Sequence, residues 1–386
     1  MNNSSMRDVS IVGIGQIPVL KESPLSLRQM GVKVVNLAMA SAGVTQVDAL
    51  FAGNMLADEL QGQKHIATLV ASEAGLRGIE ALQVRAATAT GPAALRMAYF
   101  AIASGEADLA VAVGLEKMSS GPATPVLAKA LDADYEVPTG ATLIGQNARL
   151  MQMYMAEYGL EIDVFNNFAL NAHRNCRHNP NALFKDKAVT ALMIQNSRVV
   201  EPPLRLYDAS PVCDGAAALV LAPRDEARAY TDQPVRILAS SVATDWMRLE
   251  DRQKPLNLFA AQLSARKAFR RANINPADVD FFEVHDAFSI MACLLLEAVG
   301  FAKPGAGWRL AVDEEIGWQG KIPITTMGGL KARGHPIGAT ALYQTCEIVL
   351  QLTGRAGEAQ LKDANVALLQ SVGGAAATVI THIFSN

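Results

Sequence analysis

The sequence predicts an α/β protein built from two similar halves, and three observations carry that reading. Strand-like and helix-like patterns alternate along the chain, which signals a parallel sheet covered on both faces. A loop followed by an apolar strand occurs twice, residues 272–280 mirroring residues 42–48. Helix entrances repeat as well, with Gly338-Ala339-Thr340-Ala341-Leu342 matching Gly91-Pro92-Ala93-Ala94-Leu95. Repetition of this kind in fixed order points to an internal duplication.

Each element has its own signal. Val9-Ser10-Ile11-Val12-Gly13 is a β-branched run closed by glycine and reads as a buried strand. Over 26–42 the apolar residues Leu27, Met30, Val34, Val35 and Ala38 recur at helical spacing until Gly43 stops them. There follow a strand at 49–53, a helix near 64–74, a strand at 82–86, a helix over 91–103 and a continuous apolar strand at 109–114. From 116 to 201 the composition shifts toward Met, Asn, His and Tyr, with helical patterns near 145–158 and 162–175. That stretch reads as an excursion from the sheet, the kind of long insertion that carries binding surface. The sheet resumes at 215–222, and a polar linker over 224–233 leads into the second half, whose last strand mirrors 108–114 near 365–373. The domain reading is therefore a first half over 1–115 and 206–228, an excursion over 116–205, and a second half over 234–386.

Composition bounds the function. The chain has 386 residues, too many for one ordinary core, and half of them are hydrophobic. A net charge of -3 argues against a nucleic-acid surface, so any anionic ligand must be met by local groups. No apolar run approaches the roughly 18 residues of a membrane span, and residues 1–7 lack the basic start and apolar block of a signal peptide. The expectation is a soluble cytoplasmic protein without nucleic-acid or membrane partners. Cys176, Cys213, Cys293 and Cys346 are far apart, and no Cys-x-x-Cys pair occurs. Neither a metal site nor a disulfide framework is expected.

The densest motif is Gly328-Gly329-Leu330-Lys331-Ala332-Arg333-Gly334-His335-Pro336-Ile337-Gly338, followed at once by a helical pattern. A backbone this permissive is used where the main chain turns sharply or approaches a ligand closely. His335 would stand at a helix entrance beside free N–H groups and the positive end of the dipole, a place suited to an anion. A tight loop with a satisfied structural histidine is the competing reading.

Several stretches together resemble the thiolase superfamily: the Gly-His-Pro-Ile-Gly-Ala run, His285-Asp286-Ala287-Phe288, Ser210-Pro211-Val212-Cys213-Asp214-Gly215, and His173-Arg174-Asn175 with Asn179-Pro180. The resemblance is to its sterol-carrier-protein-type and archaeal branch, and it spans nearly the whole chain in the family's order. It implies a duplicated five-layered αβαβα fold and a homodimer or tetramer built across the strand near 82–86. Acyl-coenzyme A is implied as substrate, with no resident cofactor. A small zinc-ribbon/OB-fold acyl-CoA-binding protein is implied as an accessory partner.

The resemblance places His335 as the histidine that activates the nucleophile, His285 in the segment lining an oxyanion hole, and Gly373 and Gly374 in a loop whose N–H groups face an oxyanion. Thiolase chemistry needs a cysteine thiolate to take the acyl group, and here Thr88 occupies that position. A threonine hydroxyl ionises far less easily than a thiol. Thr88 or Thr90 can equally cap the following helix. The second cysteine is missing too, its two family positions holding Ala287 and Ser371. Ser371 stays a candidate for the second proton-transfer site. The resemblance places coenzyme A along 139–145 and 240–249, with Ser240 and Gly334 as contacts. The functional expectation is an acyltransferase of acetyl-CoA C-acyltransferase type whose covalent step is in doubt. The alternatives are non-covalent enolate chemistry, either aldol cleavage or decarboxylation, and a non-catalytic acyl-CoA-binding subunit.

Overall fold

The structure is a computed structural model describing residues 6–386. The first half contains β1 (Val9–Gln16), α1 (Leu27–Ser41), β2 (Ala49–Gly53), α2 (Ala57–Leu60), α3 (Ile66–Glu73), β3 (Glu80–Val84), α4 (Thr90–Ser104) and β4 (Ala110–Lys117). Helix α1 begins where expected because Ser26 and Gln29 close a reciprocal capping box, and its buried stripe ends just before Gly43. The excursion holds α5 (Ala123–Ala128), α6 (Leu143–Tyr158), α7 (Asn166–Asn175), α8 (Ala191–Gln195) and a small ribbon of β5 (Val199–Glu201) and β6 (Leu204–Arg205). Strand β7 (Asp214–Pro223) completes the first half. The second half runs through β8 (Val235–Thr244), α9 (Phe259–Ala272), β9 (Phe281–Val284), α10 (Ser289–Val299), α11 (Gly307–Val312), α12 (Thr340–Leu352), β10 (Val366–Gly373) and β11 (Thr378–Ser385).

Nine strands are hydrogen-bonded in the order β3-β2-β4-β7-β1-β8-β11-β10-β9. The duplication is visible in the pairing. In one half β2 pairs parallel with β4, which pairs antiparallel with β7, and β7 with β1. The other half repeats this with β9, β10, β11 and β8. A single parallel bridge from Phe282 to Ile324 stands where β3 pairs with β2. The sheet is therefore mixed rather than parallel throughout. Continuous apolar strands report burial on both faces, and helix layers supply that burial whichever way a strand runs.

Alternate residues along each strand face different cores. Ala49 and Phe51 pack with α4 and α12 in a central core that also holds Phe281, Leu369 and Phe384 of the second half. Leu50 and Ala52 face α1 and α3, while Phe282, Val284 and Leu368 face α9 and α10. This yields five layers: outer helices, sheet, the central pair α4 and α12, sheet, outer helices. The central helices enter almost backbone to backbone. A Cβ on Gly114 would lie 2.3 Å from the Gly338 carbonyl oxygen, so no larger residue fits at that strand end. No helix among the described residues is long and apolar enough to cross a membrane.

Candidate active site

Where the two central helices begin, loops of both halves and the excursion enclose a cavity of about 170 Å³. Thr88, His285, His335 and Gly374 line it, so the structure brings four of the sequence-predicted residues together. Most of its remaining wall is apolar, including Met118, Leu127, Ile144, Phe288, Met291 and Ile337. Ser371 lies just behind, its hydroxyl 3.3 Å from His285 Nδ1. Gly373 is a packing position, since a Cβ there would meet the Ala86 carbonyl at 2.7 Å.

Two predicted contacts are elsewhere. Ser240 is buried inside β8, where its carbonyl accepts from Arg96 and Arg271 at 2.6 Å each and its hydroxyl lies 3.1 Å from His382 Nε2. Gly334 is enclosed by Val19 and Cys213 and supplies a left-handed turn with φ +115°. Of the two stretches assigned to coenzyme A, Thr142, Leu143 and Ile144 line the cavity, whereas none of 240–249 does.

The turn that carries Thr88 is held by its neighbours. Ala87 adopts φ +49°, a costly value for a residue with a Cβ. Thr90 braces that turn, its Oγ1 accepting from the Ala86 N–H and donating to the Ala87 carbonyl. The Thr88 hydroxyl donates 2.6 Å across the seam to the Val372 carbonyl at the end of β10. Neither threonine caps α4, whose N-cap Ala89 has no side-chain bond. Among the described contacts, Thr88 has no general base as partner.

His335 is arranged differently. Its main-chain N–H donates to Cys213 Sγ at 3.1 Å, and its Nδ1 lies 2.6 Å from Thr340 Oγ1. Thr340 also donates to the Pro336 carbonyl at 3.2 Å, and a hydroxyl has only one proton to give. Both contacts are satisfied together only when His335 Nδ1 carries a proton and donates it. That assignment leaves Nε2 as a free lone pair. The rings of His335 and His285 meet edge to face at 5.3 Å between centroids. Burial, then the Lys331 ammonium, pushes His285 down to about 3. Burial, His285 and Arg333 hold His335 well below the usual histidine range. Both imidazoles are neutral at pH 7, one nitrogen of His335 being able to take a proton.

Behind the wall lies Glu116, fully buried, whose carboxylate accepts from Asn54 Nδ2 and from the N–H groups of Met55, Leu56 and Gly338. It ties the second helix entrance to the first half, and burial pushes it up to about 7. None of the four cysteines lines the cavity, and burial raises Cys213 to about 12. Ser210 and Asn147 were not singled out as contacts in the sequence, although both line the wall. Asn147 keeps an unpartnered Oδ1 there. For Ser210 the signal was its place in the Ser-Pro-Val-Cys-Asp-Gly motif; for Asn147, on an otherwise unremarkable helix, there was none.

Residues 9–202 match the family model described as Thiolase, N-terminal domain, and residues 241–386 match Thiolase C-terminal domain-like. The chain belongs to the thiolase family. It is 40% identical to the acetyl-CoA acetyltransferase of Methanothermobacter thermautotrophicus across 99% of this chain and 100% of that one. Sterol carrier protein 2 of Homo sapiens is 30% identical over 98% of this chain and 72% of its own length. Among solved structures, the Ltp2-ChsH2(DUF35) aldolase shares the fold with a TM-score of 0.85, at 23% identity over 97% of both chains. The fold is the duplicated thiolase architecture.

Proposed function

We propose that this thiolase-family protein acts on acyl-coenzyme A substrates and makes or breaks a carbon–carbon bond beside the thioester without forming an acyl-enzyme. The observation that carries the reading is Thr88, the residue that the family resemblance assigns to the acyl-acceptor position, whose hydroxyl is committed to the Val372 carbonyl. In the cleavage direction His335 Nε2 takes the proton of a 3-hydroxyacyl thioester's hydroxyl. The Cα–Cβ bond breaks as the C=O of the departing aldehyde or ketone forms, and the electron pair passes to the α-carbon as an enolate. Neutral His285 and the Gly374 main chain line the cavity, and in this scheme they meet the charge gathering on the thioester oxygen. His335 then returns its proton to the α-carbon, so the products are an acyl-CoA and a carbonyl compound, and the histidine is neutral again. Coenzyme A enters as part of the substrate.

The setting of the site supports further parts of the proposal. Strand β3 is a sheet edge with Leu82 half exposed, which suits self-association into a homodimer or tetramer. The name of the aldolase neighbour pairs it with a DUF35 component, which supports an accessory partner of the zinc-ribbon/OB-fold kind. Four buried, unbridged cysteines accord with a reducing, cytoplasmic compartment.

The names of the relatives favour a second reading, covalent acetyl transfer with Thr88 as an ester-forming group. Free coenzyme A separates the two, because thiolytic cleavage consumes it and aldol cleavage does not. We expect a 3-hydroxyacyl-CoA to release a carbonyl product without added coenzyme A, and intact-mass analysis after acetyl-CoA treatment to show no acetyl on Thr88. Cleavage of a 3-ketoacyl-CoA that requires coenzyme A, with an acetyl adduct on Thr88, would establish the second reading instead.

A further inference from the structure

Lys331 is a lysine where none is expected. It is 1% exposed, deep behind the cavity, and sits in the π-type turn Gly329–Arg333. Turns of this kind are rare and concentrate at functional sites. Its ammonium has one hydrogen-bond partner, the Asp208 main-chain carbonyl at 2.8 Å. Buried charges persist when they are paired, and two carboxylates attract this one. Asp286 accepts from the Leu330 N–H at 2.6 Å and keeps Oδ2 without a partner; Asp208 accepts from the Arg205 N–H and keeps Oδ1 without one.

What this cluster joins is the cavity itself. Asp208 leads directly into Ala209, Ser210, Pro211 and Val212, all of which form cavity wall. The same segment is stitched to the His285 loop, since Ser210 N–H donates to the Ala287 carbonyl and Ala209 bridges Phe288. Asp286 directly follows His285, and Lys331 lies four residues before His335. Three wall segments from distant parts of the chain therefore meet at one buried ammonium. We propose that Lys331 is a positioning residue: its bond to Asp208 and its attraction for Asp208 and Asp286 set the 209–212 wall against His285 and His335.

The charged and titratable groups around it come from several elements: Asp286 after β9, Asp208 before β7, His285, His173 of α7 and Arg333 of the same turn, with Lys187 facing His173 from the excursion. Burial outweighs the two carboxylates and lowers Lys331 from 10.5 to about 8. The ammonium is thus present below pH 8 and is lost as pH rises through that value. With it goes the attraction that holds the wall.

The role is tested on the whole chain by following the ring signals of His285 and His335 with pH by nuclear magnetic resonance, in the parent and in Lys331→Arg. In the parent both rings should shift in a step near pH 8, although neither imidazole titrates there. Arginine keeps its charge through that range, so Lys331→Arg should lose the step. Glu347, buried with Arg333 and raised to about 8, and Glu116 and Glu283, each raised to about 7, are the other groups titrating nearby, and their steps would persist in the variant. A parent without the step, or a variant that retains it, overturns the proposal. Should Lys331→Arg fail to fold, neutral Lys331→Gln must lose the same step.

The catalytic arm rests on the carbon–carbon reading proposed above. There Lys331→Gln should lower kcat about tenfold or more with KM little changed, the signature of misplacement rather than weakened binding. It should also remove the alkaline fall in rate above pH 8. A parent that cleaves no 3-hydroxyacyl-CoA defeats the reaction reading alone, because the ring signals still decide the part played by Lys331.

Discussion

The two helix entrances at the centre of the molecule occupy equivalent places in a duplicated frame and have opposite chemistry. Before α4, Ala87 turns left-handed and Thr88 donates its hydroxyl to a carbonyl of the other half. Before α12, Gly334 takes the left-handed turn without a Cβ penalty, and His335 uses one ring nitrogen on Thr340 while leaving the other free. The first entrance forms a strut across the seam and the second presents a proton acceptor. The duplicated frame therefore fixes backbone geometry, the requirement of the core, and leaves the side chains at the two entrances free to differ.

The most severe way to break this comparison is to remove the acceptor. His335→Ala should reduce turnover of a cleavable acyl-CoA by about 10²–10⁴, the usual contribution of a positioned base. Binding of acyl-CoA measured by calorimetry should survive. Thr88→Val, which removes a hydroxyl that makes no proton transfer in this scheme, should leave turnover within a few-fold and lower stability by about 1 kcal/mol for the lost hydrogen bond. Equal losses of turnover in the two variants would show that both entrances are reactive and that the asymmetry is illusory.

Packing gives a second contrast. A Cβ on Gly338 would meet the Gly53 carbonyl at 2.5 Å, the Asn54 Cα at 3.0 Å and Glu116 Oε2 at 3.0 Å. None of these is a flexible tip free to withdraw, because Glu116 is itself bound by four N–H groups. On Gly91 the contacts are 2.9, 3.4 and 3.5 Å, and alanine gains roughly 0.5–1 kcal/mol over glycine within a helix. Gly338→Ala should cost about 1–3 kcal/mol, as overpacking does, and Gly91→Ala, whose one close contact is the Gly338 carbonyl at 2.9 Å and is partly offset by the helix preference for alanine, should cost less. Chemical denaturation midpoints at unchanged m decide the order. The reverse order would mean that the first entrance is the more rigid.

What the sequence disclosed follows the same division. The halves were readable because a loop closing on Val-Asp before β2 and β9, and the glycines opening the central helices, recur in the same order. His335 and Thr88 were readable because each sits in a motif whose backbone demands show in its glycines and prolines, and His285 through the His-Asp-Ala-Phe run after an apolar strand. Strand direction was not, since burial on both faces leaves the same apolar run in parallel and antiparallel strands. Ser240 was misplaced because Ser-Ser looks like a polar loop, whereas its bonds reach Arg96 and His382, more than a hundred residues away along the chain. The apolar wall was hidden for a similar reason: Met118, Leu127 and Met291 have the spacing of ordinary helix and loop residues, and only the fold brings them to one cavity.

The smallest expected change is the most informative about how the two entrances diverged. Thr88→Cys alters the side chain by a methyl and a sulfur and should cost little stability, because a thiol fits the space left by the hydroxyl and methyl. The thiol would stand before α4 on the wall it shares with His335, whose free nitrogen can accept a proton and leave a thiolate stabilised by the helix entrance. If nucleophile loss alone separates this chain from covalent chemistry, the variant should take an acetyl group from acetyl-CoA and react with iodoacetamide at residue 88, both read by intact-mass and peptide analysis. The parent should do neither at that position. Full thiolytic turnover should still lag, since Ala287 and Ser371 supply no second thiol. A variant that folds, binds coenzyme A and stays unlabelled would place the divergence in the orientation of the whole turn. The strained Ala87 and the seam bond to Val372 would then be what committed the first entrance to its structural part.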